Sequence, residues 1–301
     1  MLLTLKSMPH RQLALLAMLL LMSPWFFIGG PDYYAAPLYR SLWNAGHLLF
    51  FSVLGVWVAP LCKQHTRRWW LMSLAVLTVS LCIETLQGFV GRDFSWQDVY
   101  HNLVGFALGA LWAQAASHRI RALQLCALLL TTPLLWTLVQ DARLHWRATT
   151  QFPIIADFES EVERQRVQGT TYLQRDHRSH GQSALAIQLS TERYSGISIA
   201  RLLGDWRNFT LLKMDIYNPA SAEQTITLRI ADQHHNQQYH DRFNQRLNLQ
   251  PGWNAIALPI EQIRHAPRDR QMDLQHIADI TLFSASNPSP RLIMLDYVRL
   301  E

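Results

Sequence analysis

Among the polar side chains in the apolar first half of this chain of 301 residues, six stand out: His47, Glu84, Gln87, Arg92, Asp98 and Asn102. As a set they can do chemistry. An imidazole and a carboxylate, His47 and Glu84, can exchange protons as general acid and base. The Arg92 guanidinium can hold an anionic head group, phosphate in particular, through charge-assisted hydrogen bonds. Asp98, Asn102 and Gln87 can orient those groups. All six resist leaving water, and an ionised Asp at mid-helix in a bilayer costs about 2.5–3.5 kcal/mol. In apolar helices they are therefore expected to face one another or a wet cavity.

Spacing strengthens that expectation. Glu84 and Gln87 stand at i and i+3, with Ser80 one turn earlier, so they share a helix face. Asp98, Asn102, Gly105 and Gly109 recur at i, i+4, i+7 and i+11. That is a polar stripe continued by small residues, which let a neighbouring helix approach closely. Taken singly, each residue also has a structural reading. Asp98 can simply cap a helix, and His47 and Glu84 can form a structural pair.

The elements that must position these groups are apolar segments. Five come close to spanning length: 13–28, 46–61, 69–90, 99–116 and 122–138. Pro24 and Pro133 interrupt two of them. Basic residues fall before the first segment (Lys6, Arg11), between the second and third (Lys63, Arg67, Arg68) and between the fourth and fifth (Arg119, Arg121). The opposite loops hold only Arg40 and Arg92. The positive-inside rule then puts the N-terminus in the cytoplasm and everything after the fifth helix outside. On that topology His47 lies at the outer end of the second helix. Glu84, Gln87, Arg92, Asp98 and Asn102 lie at the same depth.

The net charge is only +5, and the basic residues are dispersed in short loops or mixed with acids. A nucleic-acid partner is not expected. Cys62, Cys82 and Cys126 all lie in the apolar half, without ligand spacing, and read as buried small apolar side chains.

The stretch IETLQGFVGRDFSWQDVYHNLVG carries Glu-x-x-Gln, then Arg-x-x-x-x-x-Asp-x-x-x-Asn-x-x-Gly, with His47 upstream. Over roughly residues 40–115 this resembles the VanZ-like membrane proteins. Glu84, Gln87, Arg92, Asp98, Asn102 and Gly105 fall into register with that family's pattern. Where the family often has an acid or Lys shortly before the histidine, Asn44 stands here. The resemblance implies a bacterial envelope protein, related to proteins that lower sensitivity to a glycopeptide antibiotic. It brings no settled activity, and whether the protein is an enzyme stays open.

From about residue 154 the pattern changes to short runs rich in β-branched and aliphatic residues, such as TLLKMDIY, TITLRIAD and RLIMLDYVRL, separated by turn signals. The expected fold is thus an α-helical transmembrane bundle of five helices followed by an all-β jelly-roll sandwich. The expected divisions are 1–141, a linker at 142–152, and 153–301. The second half resembles carbohydrate-binding modules and their non-enzymatic relatives, through DFES, HGQSALAI, DWRNFTLLKMDIYNP, DRFNQRLNLQPGWNAIALPI and LDYVRL. That resemblance implies a structural Ca²⁺ near the first and last strands, with Glu159 and Asp296 as the matching carboxylates. Two ordinary strand-end carboxylates are the equal alternative.

Sugars are bound on aromatic platforms beside polar groups. Tyr172, Tyr194, Trp206, Tyr217, Tyr239, Phe243 and Trp253 are candidates. Trp206 and Trp253 read better as core residues, and Tyr239, Asp241 and Arg242 as the ligand surface. His234 and His235 read as part of a solvated turn, and the sequon at Asn208 as chance.

Three functions fit the pattern in descending order. The first is an inner-membrane protein acting on or binding an envelope lipid or lipid-linked glycan precursor, with glycan held by the outer domain. The second is a non-catalytic, membrane-anchored scaffold for carbohydrate or protein. The third is a proton-coupled transporter, which the lack of a polar path across the bundle disfavours.

Overall fold

A computed structural model of the chain describes residues 8–28, 30–31, 34–62, 65–89, 94–200 and 202–301. Lys6, Lys63 and Arg92 lie outside the described residues. Two compact units are present, Met1–Asp141 and Ala142–Glu301.

The first unit is helical. Its elements are α1 (His10–Met22), α2 (Pro37–Cys62), α3 (Thr66–Phe89), α4 (Trp96–Trp112) and the first part of α5 (His118–Gln151). All five expected helices form, but with different bounds. α1 ends before Pro24, which opens a single 3₁₀ turn, Ser23–Phe26. α2 begins at Pro37, a residue whose fixed φ suits the first helical position. His47 is consequently about three turns inside α2 and not at its end. α4 is started by Ser95, whose side chain accepts from the Asp98 N–H. Residues 142–151, expected as a linker, continue α5, because DARLHWRATT contains neither Gly nor Pro to stop it.

Three of the helices, α2, α3 and α5, are long and apolar enough to cross a membrane. α1 has 13 residues and α4 has 17. Large apolar side chains cover the outward faces, among them Leu21, Trp70, Leu74, Phe89, Leu129 and Trp136. A patch of that extent is what a lipid-facing surface requires. Cys62 is buried, but Cys82 and Cys126 are exposed on these faces, contrary to expectation. An apolar environment outside the bundle suits a thiol as well as one inside it.

α2 and α4 are in backbone contact. A Cβ on Gly105 would lie 2.4 Å from the Leu48 carbonyl oxygen, and one on Gly109 would lie 1.8 Å from that of Ser52. Only glycine permits this approach. It fixes the registry of the two helices one turn away from His47 and Asn102.

The second unit is a sandwich of two antiparallel sheets. One has the order β3 (Thr171–Gln174), β4 (Ala184–Leu189), β11 (Arg291–Leu300), β6 (Leu211–Asn218), β9 (Gly252–Pro259), with β1 (Ile154–Ala156) also paired to β11. The other has the order β2 (Val167–Gln168), β5 (Tyr194–Ala200), β10 (Ile277–Ala285), β7 (Gln224–Asp232), β8 (Phe243–Leu249). From β4 onward the chain crosses repeatedly from sheet to sheet, which is the winding of a jelly roll. Period-two burial is clearest in β6, where Leu212, Met214 and Ile216 face inward. They meet Ile226, Leu228, Ile230, Ile280 and Leu282 from the other sheet in one core. Each such side chain contributes roughly 1.5–3 kcal/mol on burial. Trp206 plugs this core at 0% exposure. Trp253 does not. It is 41% exposed because register sets it opposite Tyr217 on the outer face of the sheet, and its ring leans on Tyr217 at 5.2 Å.

Candidate functional site

Within the helical unit, His47, Glu84 and Asp98 converge from three helices. Each brings a ligand-type atom to within 4.8 Å of the other two, and all three residues are buried. The local sequence explains each placement. His47 is one residue before Leu48, where Gly105 touches α2. Asn102, three residues before Gly105, therefore reaches His47, and its Oδ1 lies 3.1 Å from His47 Nδ1.

Glu84 is held by Ser95, the residue that caps α4. Its Oε2 accepts from the Ser95 N–H at 3.0 Å. Ser95 thus works twice, with its N–H on Glu84 and its Oγ on the Asp98 N–H. Asp98 Oδ1 is buried and has no hydrogen-bond partner among the described residues. His101 Nδ1 lies 3.9 Å from it.

Gln87 has a different task. Its Nε2 donates to the Phe26 carbonyl at 2.8 Å, which anchors the 3₁₀ turn after α1. Phe26 then packs edge-on against the His47 ring, with centroids 4.8 Å apart. Gln87 is a positioning residue for one wall of the site. Phe26, Ser95 and His101 were not singled out in the sequence. The spacing of His101, three residues after Asp98, was the available signal.

On its other side His47 borders an apolar cavity of about 320 Å³, lined by Trp25, Phe26, Leu42, Trp43, Gly46 and Phe50 among others. A buried polar cluster and an apolar cavity therefore share the His47 imidazole.

The β unit carries a second candidate site on the outer face of the sheet β2-β5-β10-β7-β8. Register builds it in rungs. Gly196, Phe283, Thr227 and Arg246 lie side by side, and so do Ser198, Thr281, Arg229 and Asn244. The cleft above them has a volume of about 850 Å³. Tyr194 and Tyr239 stand at its margin, 61% and 71% exposed. Arg229 donates to Thr281 at 3.0 Å and pairs with Asp279 at 3.4 Å. The Arg242 guanidinium lies 5.7 Å from the Tyr239 ring centroid. Burial, helped by Arg229, lowers the Arg242 pKa from the usual guanidinium value.

Of the three expected ligand residues, Tyr239 and Arg242 line this cleft. Asp241 is buried instead and accepts from Arg270 Nε at 2.6 Å and from the Asn236 N–H at 2.8 Å. The Arg270 guanidinium also bridges to the buried Asp232. This contact holds the Asp241 carboxyl at about 2, below its ordinary value. Phe243 is a core residue, and Tyr217 stacks on His177. Phe283 and Arg229 went unremarked because only strand register reveals which face they share.

Glu159 and Asp296 both hold the loop 179–183. Glu159 Oε1 accepts from the N–H groups of Gln182 and Ser183, and Asp296 Oδ2 from those of Ser179 and His180. Backbone N–H groups thus take one oxygen of each carboxylate. Among the described residues the pair belongs to no group of three His, Cys, Asp or Glu donors. Asp296 Oδ1 is buried and has no hydrogen-bond partner among the described residues.

Residues 7–117 match the VanZ/LLP1 family model. No curated protein matches the chain. Among solved structures, a family 11 carbohydrate-binding module from Clostridium thermocellum is similar at 16% identity, with 49% of this chain and 93% of that chain covered and a TM-score of 0.39. An exo-β-agarase is similar at 17% identity, with 49% of this chain and 24% of that chain covered and a TM-score of 0.40. A carbohydrate-binding module specific for non-crystalline cellulose is similar at 13% identity, with 50% and 94% covered and a TM-score of 0.36. The β-sandwich itself is established by its own strand order and register.

Proposed function

We propose that this chain is a protein of the bacterial inner membrane that takes an anionic envelope lipid, or a lipid-linked glycan precursor, into its helical unit. The observation that carries the reading is the dual position of His47, in the wall of an apolar cavity and in a buried cluster with Glu84 and Asp98. Such a boundary suits an amphiphile, with its chain in the cavity and its head group at the cluster. Glu84 and His47 exchange protons with the head group, Arg92 holds its phosphate, and Asn102 and Gln87 keep the geometry. Basic loop residues favour a cytoplasmic N-terminus and an extracytoplasmic β unit. There the rungs of Phe283, Thr281, Arg229 and Asn244 suit a glycan, and Arg242 and Arg246 beside them suit one with anionic groups.

The test is a comparison of lipids, muropeptides and glycopeptide sensitivity in cells carrying the wild type, Glu84→Gln or His47→Ala. Loss of the wild-type profile in both variants, with protein levels retained, is the expected result. An unchanged profile in both would end the catalytic reading.

A second reading has an observation in its favour. Glu84, Gln87 and Asn102 each make a hydrogen bond that ties one segment of the helical unit to another. In a non-catalytic scaffold these residues only lock the bundle. Their variants then lose thermal stability and leave lipid composition unaltered.

A further inference from the structure

We propose that the cleft on the sheet β2-β5-β10-β7-β8 selects a polyanionic glycan, and that Arg229 and Arg242 together hold one of its carboxylate or phosphate groups. This inference rests on the reading that the β unit binds a glycan, and it names the class of that ligand. Three arginines, Arg229, Arg242 and Arg246, line the cleft, and among the described residues no Asp or Glu does. Sugar hydroxyls can be held by neutral amides and hydroxyls. A guanidinium fork matches the oxygens of a carboxylate or a phosphate.

The first two arginines are placed differently. Arg229 is pinned by Thr281 and Asp279, and its buried Nε has no hydrogen-bond partner among the described residues. Arg242 precedes β8 on extended backbone, at φ −154° and ψ 162°. Its guanidinium rests over Tyr239, and its buried Nε also has no hydrogen-bond partner among the described residues. Both burial and the neighbouring Arg229 charge disfavour the protonated form of Arg242. Asp279 pairs with Arg229 alone of the two. An oxyanion between the guanidinium groups relieves their repulsion and meets their free donors. Asn244 Oδ1 is buried and unpartnered among the described residues as well, and it can accept from a sugar hydroxyl.

Period two puts Arg242, Asn244 and Arg246 on one face, with Arg242 and Arg246 roughly 13 Å apart along the chain. Arg246 therefore serves a second acidic group further along the glycan. In register with Arg246 stand Thr227, Phe283 and Gly196. A Cβ on Gly196 would lie 2.7 Å from the Phe283 Cβ, so glycine keeps the β5 side of that ring uncrowded. The Phe283 ring can then take the apolar face of a sugar between the charged groups.

The full-length protein in detergent is titrated calorimetrically with an oligogalacturonate, with the methyl ester of the same oligosaccharide and with a phosphorylated oligomannose. At least one acidic probe should bind about tenfold or more tighter than the ester, as charge-assisted hydrogen bonds require. Which acidic probe binds tells carboxylate from phosphate. Arg242→Gln should erase the preference, and Arg242→Lys should restore part of it, because the charge returns without the fork. Phe283→Ala should weaken acidic and neutral probes alike. Arg175→Gln, exposed on the loop after β3 of the other sheet, should change nothing. A folded Arg242→Gln protein with wild-type affinity, or a loss of binding in Arg175→Gln instead, would overturn the site. So would equally tight binding of a single-stranded oligonucleotide, which marks unspecific attraction of charge. If the ester binds as tightly as the acid, this inference fails and the glycan reading stands. If no probe binds, both fail. If an acidic probe binds and the lipid profile is untouched by Glu84→Gln and His47→Ala, the lipid reading fails and this inference stands.

Discussion

Asn102 and His47 meet across two helices, Oδ1 to Nδ1 at 3.1 Å, one turn from the point where Gly105 touches the α2 backbone. A close contact of backbones thereby sets a contact of side chains. The polar cluster inherits its geometry from a stripe of glycines, and the consequence can be tested without altering any polar residue.

Gly105→Ala should force α2 and α4 apart, because its Cβ would lie 2.4 Å from the Leu48 carbonyl oxygen. The expected loss is about 1–3 kcal/mol, typical of overpacking. Gly88→Ala in α3 is the control, since a Cβ there meets nothing within 4 Å. Thermal unfolding of both variants in detergent reads the difference. Equal stability of the two would show that α2 and α4 can separate at no cost.

Glu163 gives the β unit a pH dependence. It is buried beside Asp157, and burial together with that neighbour raises its pKa from 4.5 to about 7. Arg147 opposes the shift. The folded state therefore binds the proton more tightly than the unfolded chain. Its stabilisation is full below pH 4.5 and is lost as pH rises through about 7. The magnitude is about 3 kcal/mol, at 1.36 kcal/mol for each pKa unit. Glu163→Gln retains an acceptor for the Asp157 N–H and should flatten stability against pH across that window. Denaturant titrations at several pH values check it, and a slope unchanged by the substitution would contradict it.

Arg270 neutralises two buried acids, Asp232 and Asp241. Arg270→Met should cost about 3–5 kcal/mol, because both carboxylates are left uncompensated. Adding Asp232→Asn and Asp241→Asn should restore a large part of the loss. The wild-type pairing holds the Asp241 pKa at about 2 instead of 3.8, so its stabilisation is present above pH 3.8 and fades as pH falls toward 2. Chemical unfolding of the single and triple variants reports the result.

Much of this architecture was legible in the residues. The apolar runs announced five helices, and the stripe of Asp98, Asn102, Gly105 and Gly109 announced a close helix pair with polar groups at one end. Period-two alternation announced the strands. Other features depend on information that spacing does not contain. Pro37 started α2 early and carried His47 into the helix interior. The Phe26 carbonyl became a partner for Gln87 only because a 3₁₀ turn brought it there, and nothing in an apolar SPWF run signals that. Asp241 looked like a surface acid until Arg270, distant in sequence, was seen to cover it. Trp253 looked like core, but register sets it opposite Tyr217 on the outer face of the sheet. Register is a property of the assembled sheet, so single strands cannot reveal it.

The most direct test uses Gly46, which lines the apolar cavity beside His47 and where a Cβ meets nothing within 4 Å. Gly46→Leu should fill the cavity without straining the bundle, and leucine also favours the helix. Lipids that co-purify with the full-length protein in native nanodiscs are quantified for wild type, Gly46→Leu and Glu84→Gln. The expected result is enrichment of one anionic lipid class on wild type, lost from Gly46→Leu while its thermal unfolding is unchanged, and weakened in Glu84→Gln. The same lipid profile on all three proteins would contradict an amphiphile site at His47.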